Sequence, residues 1–179
     1  LEAFLALCQQ STGILESNLF RASDLIRSFK RVAVDQSGEE IRELDLAFYV
    51  DEVLLSLRPK LKKRPITVSN EIPPDLLLTV QAGALSQILT NLIVNSLIHA
   101  FDEDQDGHIR IGATLEADDL LLDYRDDGKG MDAPTVQRIF DPFYTTKRNT
   151  GGSGLGMHIT YNLVTQALQG SIQCQSTPG

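Results

Sequence analysis

The sequence has little of what marks several large classes of protein. It contains no tryptophan and only two cysteines, Cys8 and Cys174, which lie far apart and match no metal-binding spacing. That usage is typical of a reduced, cytoplasmic compartment. No apolar run approaches the roughly 20 residues that span a bilayer. We therefore expect a cytoplasmic chain without membrane contact.

Basic residues are in the minority, with 16 Lys and Arg against 24 Asp and Glu and a formal net charge of -8. A nucleic-acid-binding domain usually presents a basic face, so nucleic acid is not expected as a partner. Nucleotide binding remains compatible with this charge, because a phosphate site needs only a local cluster of donors. The chain begins with Leu1 and shows no signal peptide. We expect it to be a piece of a longer protein, whose membrane segments, if any, lie elsewhere.

The first 35 residues predict one long amphipathic helix. Apolar residues recur at three- and four-residue spacing from Phe4 to Phe29, and no proline interrupts them. Such a stripe must be buried, either against another helix or on the chain's own globular part. Residues 35–40 are polar and include Gly38, which indicates a linker.

The rest of the chain alternates strand-like and helical patterns. They predict strands at 41–46, 66–68, 76–80, 108–115, 120–124 and 171–176, and helices at 47–63, 81–101 and 155–168. Pro59 should end or kink the first of these helices early. Residues 127–154 indicate a long loop, and a loop of that length inside a compact domain is usually functional. The element order predicts an α/β sandwich preceded by a helix.

A polar stripe runs along the helix predicted at 81–101. Gln87, Asn91, Asn95 and His99 recur every fourth residue, and each such step turns a helix by about 400°, so their side chains lie almost in line. Such a stripe is usually a solvated face, although Glu, Lys and Arg are better surface helix formers than Asn and His. An amide oxygen is a suitable ligand for Mg²⁺, which also keeps waters beside substrate phosphates. Taken alone, the stripe favours the solvated face.

Two glycine motifs flank the long loop. Asp126-x-Gly128-x-Gly130 follows a predicted strand, where glycines let backbone approach a ligand and the carboxylate can accept a hydrogen bond from an amine such as that of adenine. The same motif also occurs in ordinary turns. Gly152-Ser153-Gly154-Leu155-Gly156 opens a helix, whose free N–H groups favour phosphate. A dinucleotide-binding fold is disfavoured, because its glycine motif follows the first strand.

Aromatic residues and a lysine lie between these two motifs. Phe140-Asp141-Pro142-Phe143 could anchor a lid over a ligand, and Lys147 could reach a phosphate. The alternative is an ordinary loop anchor and a solvated lysine. Neither residue set decides between the two interpretations.

The order of the four motifs resembles the N, G1, F and G2 boxes of sensor histidine kinases, which belong to the wider ATPase group of DNA gyrase, Hsp90 and MutL. The matching runs are Asn91-Leu92-Ile93-Val94-Asn95-Ser96, Asp126-x-Gly128-x-Gly130, Phe140–Phe143 and Gly152-x-Gly154-x-Gly156. The resemblance covers about residues 41–176. It implies an ATP-binding catalytic domain at 37–179, an α+β sandwich with a mixed sheet and helices on one face.

The resemblance also implies roles for individual residues. Asn95 corresponds to the Mg²⁺ ligand and Asp126 to the residue that reads adenine, while Asn91, His99 and Lys147 would serve the phosphate region. Nucleotide-binding backbone is expected at Gly128 and Gly130 and along Gly152, Ser153, Gly154, Leu155 and Gly156, with residues 127–154 as a mobile lid over ATP.

The implied partners follow from the same family. Residues 1–36 resemble the second helix of a dimerisation hairpin, whose first helix would carry the phosphoacceptor histidine. The three histidines, His99, His108 and His158, all lie in the ATP-binding part. The expected reaction passes the ATP γ-phosphoryl group to that missing histidine and then to an aspartate of a response regulator receiver. The full-length protein would be a homodimer, and this chain alone should not autophosphorylate.

The sequence departs from the family at several points. Asn91 stands where gyrase and Hsp90 have a glutamate that activates water, which favours phosphoryl transfer over hydrolysis. Ile98 replaces a lysine of many relatives, leaving its phosphate contact to His99 or Lys147. The chain stops at Gly179, before a further strand of the family, so the sheet edge would be open or covered by a partner. An ATP-hydrolysing relative and a non-enzymatic nucleotide-binding module remain the alternatives.

Overall fold

The computed structural model describes residues 11–13, 15, 18, 19, 41–116, 119–147 and 152–179. The described residues between 11 and 19 are helical. The rest of the predicted dimerisation helix at 1–36, the linker up to residue 40, the hairpin turn at 117–118 and part of the predicted lid at 148–151 lie outside the described residues. The assignment of residues 1–36 to a dimerisation hairpin stays a prediction.

The described part alternates strands and helices much as the sequence predicts. The elements are β1 (Ile41–Asp45), α1 (Leu46–Leu61), β2 (Ile66–Asn70), β3 (Leu77–Gln81), α2 (Ala82–Asn95), β4 (Gly107–Glu116), β5 (Asp119–Asp126), α3 (Ala133–Arg138) and α4 (Gly156–Asn162). Two π-helical segments, Ser96–Ala100 and Leu163–Ala167, continue α2 and α4 respectively. The predicted α/β class is confirmed. Within the residues described, no helix combines the length and apolar character needed to cross a membrane.

The strands form a small ribbon and a mixed sheet. β1 pairs antiparallel with β3, whereas β4 lies between β2, to which it is parallel, and β5, to which it is antiparallel. The apolar faces of α1 and α2 pack on these strands, and the core includes the fully buried side chains of Leu89, Ile93, Phe101, Ile109 and Ile111. Each such side chain contributes about 1.5–3 kcal/mol when it leaves water. The core therefore fixes α2 against the sheet.

Three details differ from the predictions. Residues 171–176 are not a strand: their exposure alternates as in a strand, but their backbone joins no ladder, and Ser176 Oγ instead accepts from the Met131 N–H at 2.9 Å. Pro59 lies inside α1 and does not end it. A proline in the last turn removes only one hydrogen bond of the helix, so α1 continues for two more residues, to Leu61. The loop at 127–154 contains α3, which is N-capped by the Asp132 carboxylate.

Candidate functional site

A cleft of about 980 Å³ opens beside α2. This size lies at the upper end of the range typical of small-molecule sites. Its walls come from α2, from the turn after β5, from α3 and the loop that follows it, and from α4. Lining residues include Gln87, Asn91, Val94, Asn95, Ile98, His99, Lys129, Gly130, Met131, Thr146, Lys147, Gly152, Ser153, Gly154, Gly156 and Met157.

The polar stripe of α2 faces this cleft because the opposite face of the helix is in the core. Leu85, Leu89 and Ile93 are buried against the sheet. Gln87, Asn91, Asn95 and His99 all line a concave site, which favours a binding role over a plain solvated face. Within the cleft, however, the stripe divides into two parts with different surroundings.

Asn91 joins α2 to α4. Its Nδ2 donates to the Gly156 carbonyl at 3.1 Å and to Thr160 Oγ1 at 3.3 Å, and its Oδ1 accepts from Gln87 Nε2 at 2.7 Å. Thr160 is fully buried and donates in turn to the Gly156 carbonyl at 3.0 Å. The Asn91 carboxamide is thus engaged by protein on both of its atoms. We call Gln87, Asn91, Gly156 and Thr160 the helix junction.

Asn95 and His99 continue the stripe, and among the described residues neither is hydrogen-bonded to α4. The Asn95 side chain has no hydrogen-bond partner in the described part of the chain, and it faces the cleft. His99 Nδ1 lies 3.1 Å from Thr146 Oγ1 in the loop across the cleft. Burial lowers the pKa of His99, and the positive charges of Lys147 and Lys129 lower it further. We call Asn95, His99, Lys129 and Lys147 the phosphate wall, since a polyanion would relieve this concentration of positive charge.

Asp126 lies at the end of β5, outside the lining of the cleft, and is exposed. Its Oδ2 accepts from Ser96 Oγ at 2.6 Å, and its Oδ1 accepts from the Gly128 N–H at 3.2 Å. The Lys129 N–H donates to the Ala100 carbonyl at 3.0 Å. The turn that carries the predicted adenine-reading residue is therefore bonded directly to the end of α2.

Close backbone approach explains two of the motif glycines. A Cβ on Gly128 would lie 2.5 Å from the Ala100 Cβ, so only glycine lets this turn reach the helix. Gly154 has a φ of +68°, and a Cβ there would lie 2.5 Å from the carbonyl carbon of Phe143. Gly154 thus lets the glycine motif pack on the loop that precedes it.

The segment around Phe140 is anchored to α4. The Phe140 ring lies 5.7 Å from the Tyr161 ring, and the Phe140 carbonyl is 3.1 Å from His158 Nδ1. Asn162 Nδ2 lies 3.3 Å from His158 Nε2, which sets the orientation of the imidazole. The interpretation of the aromatic motif as a loop anchor fits these contacts. Whether residues 127–154 move as a lid stays a prediction.

The structure brings most of the predicted site residues to one cleft, and it leaves Asp126, Gly128 and Leu155 outside the lining. Sequence reasoning missed three polar residues that organise the site, namely Ser96, Tyr124 and Thr160. Ser96 and Thr160 are buried. The available signal for Ser96 was its position three residues after Ile93, which places a hydroxyl on the apolar face of the helix.

The donor set suits a magnesium ion that arrives with its nucleotide. The described residues contain no group of three His, Cys, Asp or Glu that could hold a metal by itself. Asn95, whose side-chain amide has no hydrogen-bond partner among the described residues, lines the cleft together with Lys129 and Lys147. Mg²⁺ is commonly held by one or two protein oxygens, with phosphates and waters as the remaining ligands. The residues present therefore fit Mg²⁺ bound together with ATP.

Comparison with known proteins identifies relatives of this chain. The chain is 30% identical over 148 residues to sporulation kinase B of Bacillus subtilis, covering 83% of this chain and 33% of that protein. It is 28% identical over 152 residues to the sensor protein TorS of Escherichia coli, covering 82% of this chain and 16% of that protein. The chain thus spans a third or less of these curated relatives.

A solved structure and a family model agree with these relatives. The catalytic domain of histidine kinase ThkA superposes with a TM-score of 0.62 at 28% identity, over 72% of this chain and 82% of that chain. Residues 81–179 match the family described as histidine kinase-, DNA gyrase B- and HSP90-like ATPases. That match includes α2, the turn after β5 and the glycine motif before α4. The chain belongs to this family, and its resemblance within it is to the catalytic domain of sensor histidine kinases.

Proposed function

We propose that this chain binds ATP with Mg²⁺ in the cleft and transfers the γ-phosphoryl group to a histidine of a separate helix or chain. The phosphoryl group would then pass to an aspartate of a response regulator receiver. In the full-length protein, two copies would form a homodimer. The observation that carries the proposal is the phosphate wall: Asn95, without a protein partner among the described residues, faces the same cleft as His99, Lys129 and Lys147.

Each part of the cleft has a task in this proposal. Asn95 would hold Mg²⁺, and the basic residues of the phosphate wall would bind the phosphates. The glycine motif would supply backbone N–H groups, since α4 begins without a side-chain cap at its N-terminus. Asp126 would accept a hydrogen bond from the adenine amine. Mg²⁺ held by Asn95 would supply positive charge that offsets the charge developing during transfer.

Position 91 supports transfer rather than hydrolysis. A hydrolase needs a general base that takes a proton from water. The Asn91 carboxamide cannot act as a base at neutral pH, and both of its polar atoms are engaged in the helix junction. No residue of the junction carries a titratable side chain. We therefore propose that the chain positions ATP and stabilises the charge that develops during transfer. The acceptor histidine would supply the nucleophile.

The test mixes the purified chain with a separate helical hairpin that carries the acceptor histidine, together with ATP labelled on its γ-phosphate. We expect label on the hairpin that depends on Mg²⁺, and none on a hairpin with that histidine replaced by Gln. Absence of label while ATP still binds would contradict the kinase proposal. Steady release of phosphate without hairpin would favour an ATPase, and failure to bind nucleotide would favour a non-enzymatic module.

A further inference from the structure

A chain of hydrogen bonds runs from the sheet to the Asp126 carboxylate. Tyr124 Oη donates to Ser96 Oγ at 2.8 Å, and Ser96 Oγ donates to Asp126 Oδ2 at 2.6 Å. The second distance is typical of a hydroxyl that donates to a charged oxygen. Ser96 is only 5% exposed, and it opens the π-helical segment in which α2 changes its hydrogen-bond register. Such segments are frequent at functional sites.

The direction of this chain is fixed by the number of protons. A carboxylate only accepts, so the single hydroxyl proton of Ser96 must go to Asp126. Ser96 can then only accept from Tyr124. Burial raises the pKa of Tyr124 well above its ordinary value; the hydrogen bond with Ser96 opposes this shift in part, and the Asp126 charge adds a smaller increase. The phenol therefore keeps the proton that it donates.

These hydrogen bonds hold both oxygens of the Asp126 carboxylate in place. Ser96 occupies Oδ2 from the side of α2, while Oδ1 accepts a 3.2 Å bond from the Gly128 N–H. Asp126 is exposed, and the bond from Gly128 leaves Oδ1 with a second lone pair. Rotation of the carboxylate would break both bonds at once. Its angle is therefore set before any ligand arrives.

We propose that Ser96 and Tyr124 are positioning residues for the base-reading carboxylate. They fix the angle at which Asp126 meets the exocyclic amine of a purine, and they thereby set the preference for adenine over purines that lack this amine. The inference rests on the proposed function, in which Asp126 reads adenine. Ser96 acts directly on the carboxylate, and Tyr124 acts through Ser96.

The test measures binding of two nucleotides by titration calorimetry with Mg²⁺: ATP, and purine riboside triphosphate, which lacks the 6-amino group. In Ser96→Ala we expect ATP to bind about tenfold more weakly, the effect of one hydrogen bond to a charged group. The analogue should change by less than about twofold, because it has no amine for Asp126 to read. Ser96→Thr keeps the hydroxyl and should therefore keep the wild-type preference for ATP over the analogue.

Further variants separate the two positioning residues. Tyr124→Phe should lower the preference for ATP less than Ser96→Ala does. Adding Tyr124→Phe to Ser96→Ala should change nothing more, because the Tyr124 hydroxyl donates to Ser96, which the first substitution has already removed. Ser56→Ala on α1, whose hydroxyl donates to the nearby Val53 carbonyl, is the matched control and should leave both affinities unchanged.

The outcomes distinguish this inference from the function it rests on. Equal weakening of ATP and the analogue in Ser96→Ala would mean a merely structural role and would overturn the inference. If Asp126→Asn leaves the ratio of the two affinities unchanged, the assignment of Asp126 to adenine fails, and the proposed base site with it. If Asp126→Asn abolishes the ratio while Ser96→Ala keeps it, only the positioning role is lost. Should Ser96→Ala fail to fold, Ser96→Thr and Tyr124→Phe decide.

Discussion

Asn91 and Asn95 lie one turn apart on α2 and line the same cleft, yet they meet opposite surroundings. In the helix junction, Asn91 bonds Gln87, Gly156 and Thr160 and ties α2 to α4. In the phosphate wall, Asn95 has no bond to the described protein. Identical side chains in one stripe thus differ in what they can offer a ligand. The junction fixes the spacing of the two helices, and Asn95 in the wall keeps an amide that a ligand can satisfy.

The largest effect is expected at the wall, where Asn95→Ala should remove a ligand of Mg²⁺. Loss of support around a metal typically costs 10–100-fold, so we expect phosphotransfer to fall by at least about 100-fold when a ligand itself is removed. The melting temperature without nucleotide should not change, because no described contact is lost. Transfer of label to the separate hairpin, measured with and without Mg²⁺, and a thermal scan of the chain alone check these two expectations. An unchanged Mg²⁺ dependence would refute the role assigned to Asn95.

Gly154→Ala should come next, because it displaces the glycine motif from the neighbouring loop. The φ of +68° is unfavourable for alanine by about 1–2 kcal/mol, and the new Cβ would meet the Phe143 backbone. ATP affinity should fall about tenfold, whereas Gly112→Ala on β4, outside the cleft lining and with no neighbour within 4 Å of an added Cβ, serves as the control. Comparable losses in both variants would show that close packing at Gly154 is not the cause.

Asn91→Ala should affect the stability of the fold and leave Mg²⁺-dependent ATP binding unchanged. The change leaves the buried Thr160 hydroxyl and the Gln87 amide with fewer partners, which costs about 1–3 kcal/mol. The melting temperature should fall, while the ratio of ATP affinities with and without Mg²⁺ should stay as in the wild type. A variant that keeps its melting temperature but loses Mg²⁺-dependent binding would reverse the roles of the two asparagines.

The smallest expected effect is the pH dependence of stability through His99. Its pKa is lowered in the folded chain by burial and by Lys147 and Lys129, so the unfolded state binds the proton more readily. Stability should be unaffected above the unfolded pKa of about 6.5 and should decline as the pH falls below it. Thermal scans from pH 8 to about 5 should show less decline in His99→Gln, which cannot titrate there. Parallel curves would contradict this reading of the wall.

The sequence predicted the order of the elements and the location of the cleft, because both depend on local patterns. The fourfold spacing of the α2 stripe and the two glycine motifs are readable along the chain, and their order suggested the family. The division of the stripe was not readable. What separates Asn91 from Asn95 is α4, whose Gly156 and Thr160 lie 65 and 69 residues further on.

Two further features could not be predicted for the same reason, because they depend on residues that are distant in the sequence. The bond between Ser96 and Asp126 joins residues 30 positions apart, and a serine inside an apolar helix face gives no indication of its partner. The strand predicted at 171–176 kept its alternating exposure, but a strand also needs a neighbour for its ladder. Local propensity cannot supply that neighbour, so the segment lacks strand structure in spite of its pattern.

The most direct measurement is a crystal structure of the chain with Mn²⁺ and a non-hydrolysable ATP analogue, in which anomalous scattering locates the metal. We predict that the metal is coordinated by Asn95 Oδ1 beside the phosphates, that Asn91 still bonds Gly156 and Thr160, and that the adenine amine lies within hydrogen-bond distance of Asp126. A metal coordinated by Asn91, or a nucleotide bound outside the cleft, would contradict the account.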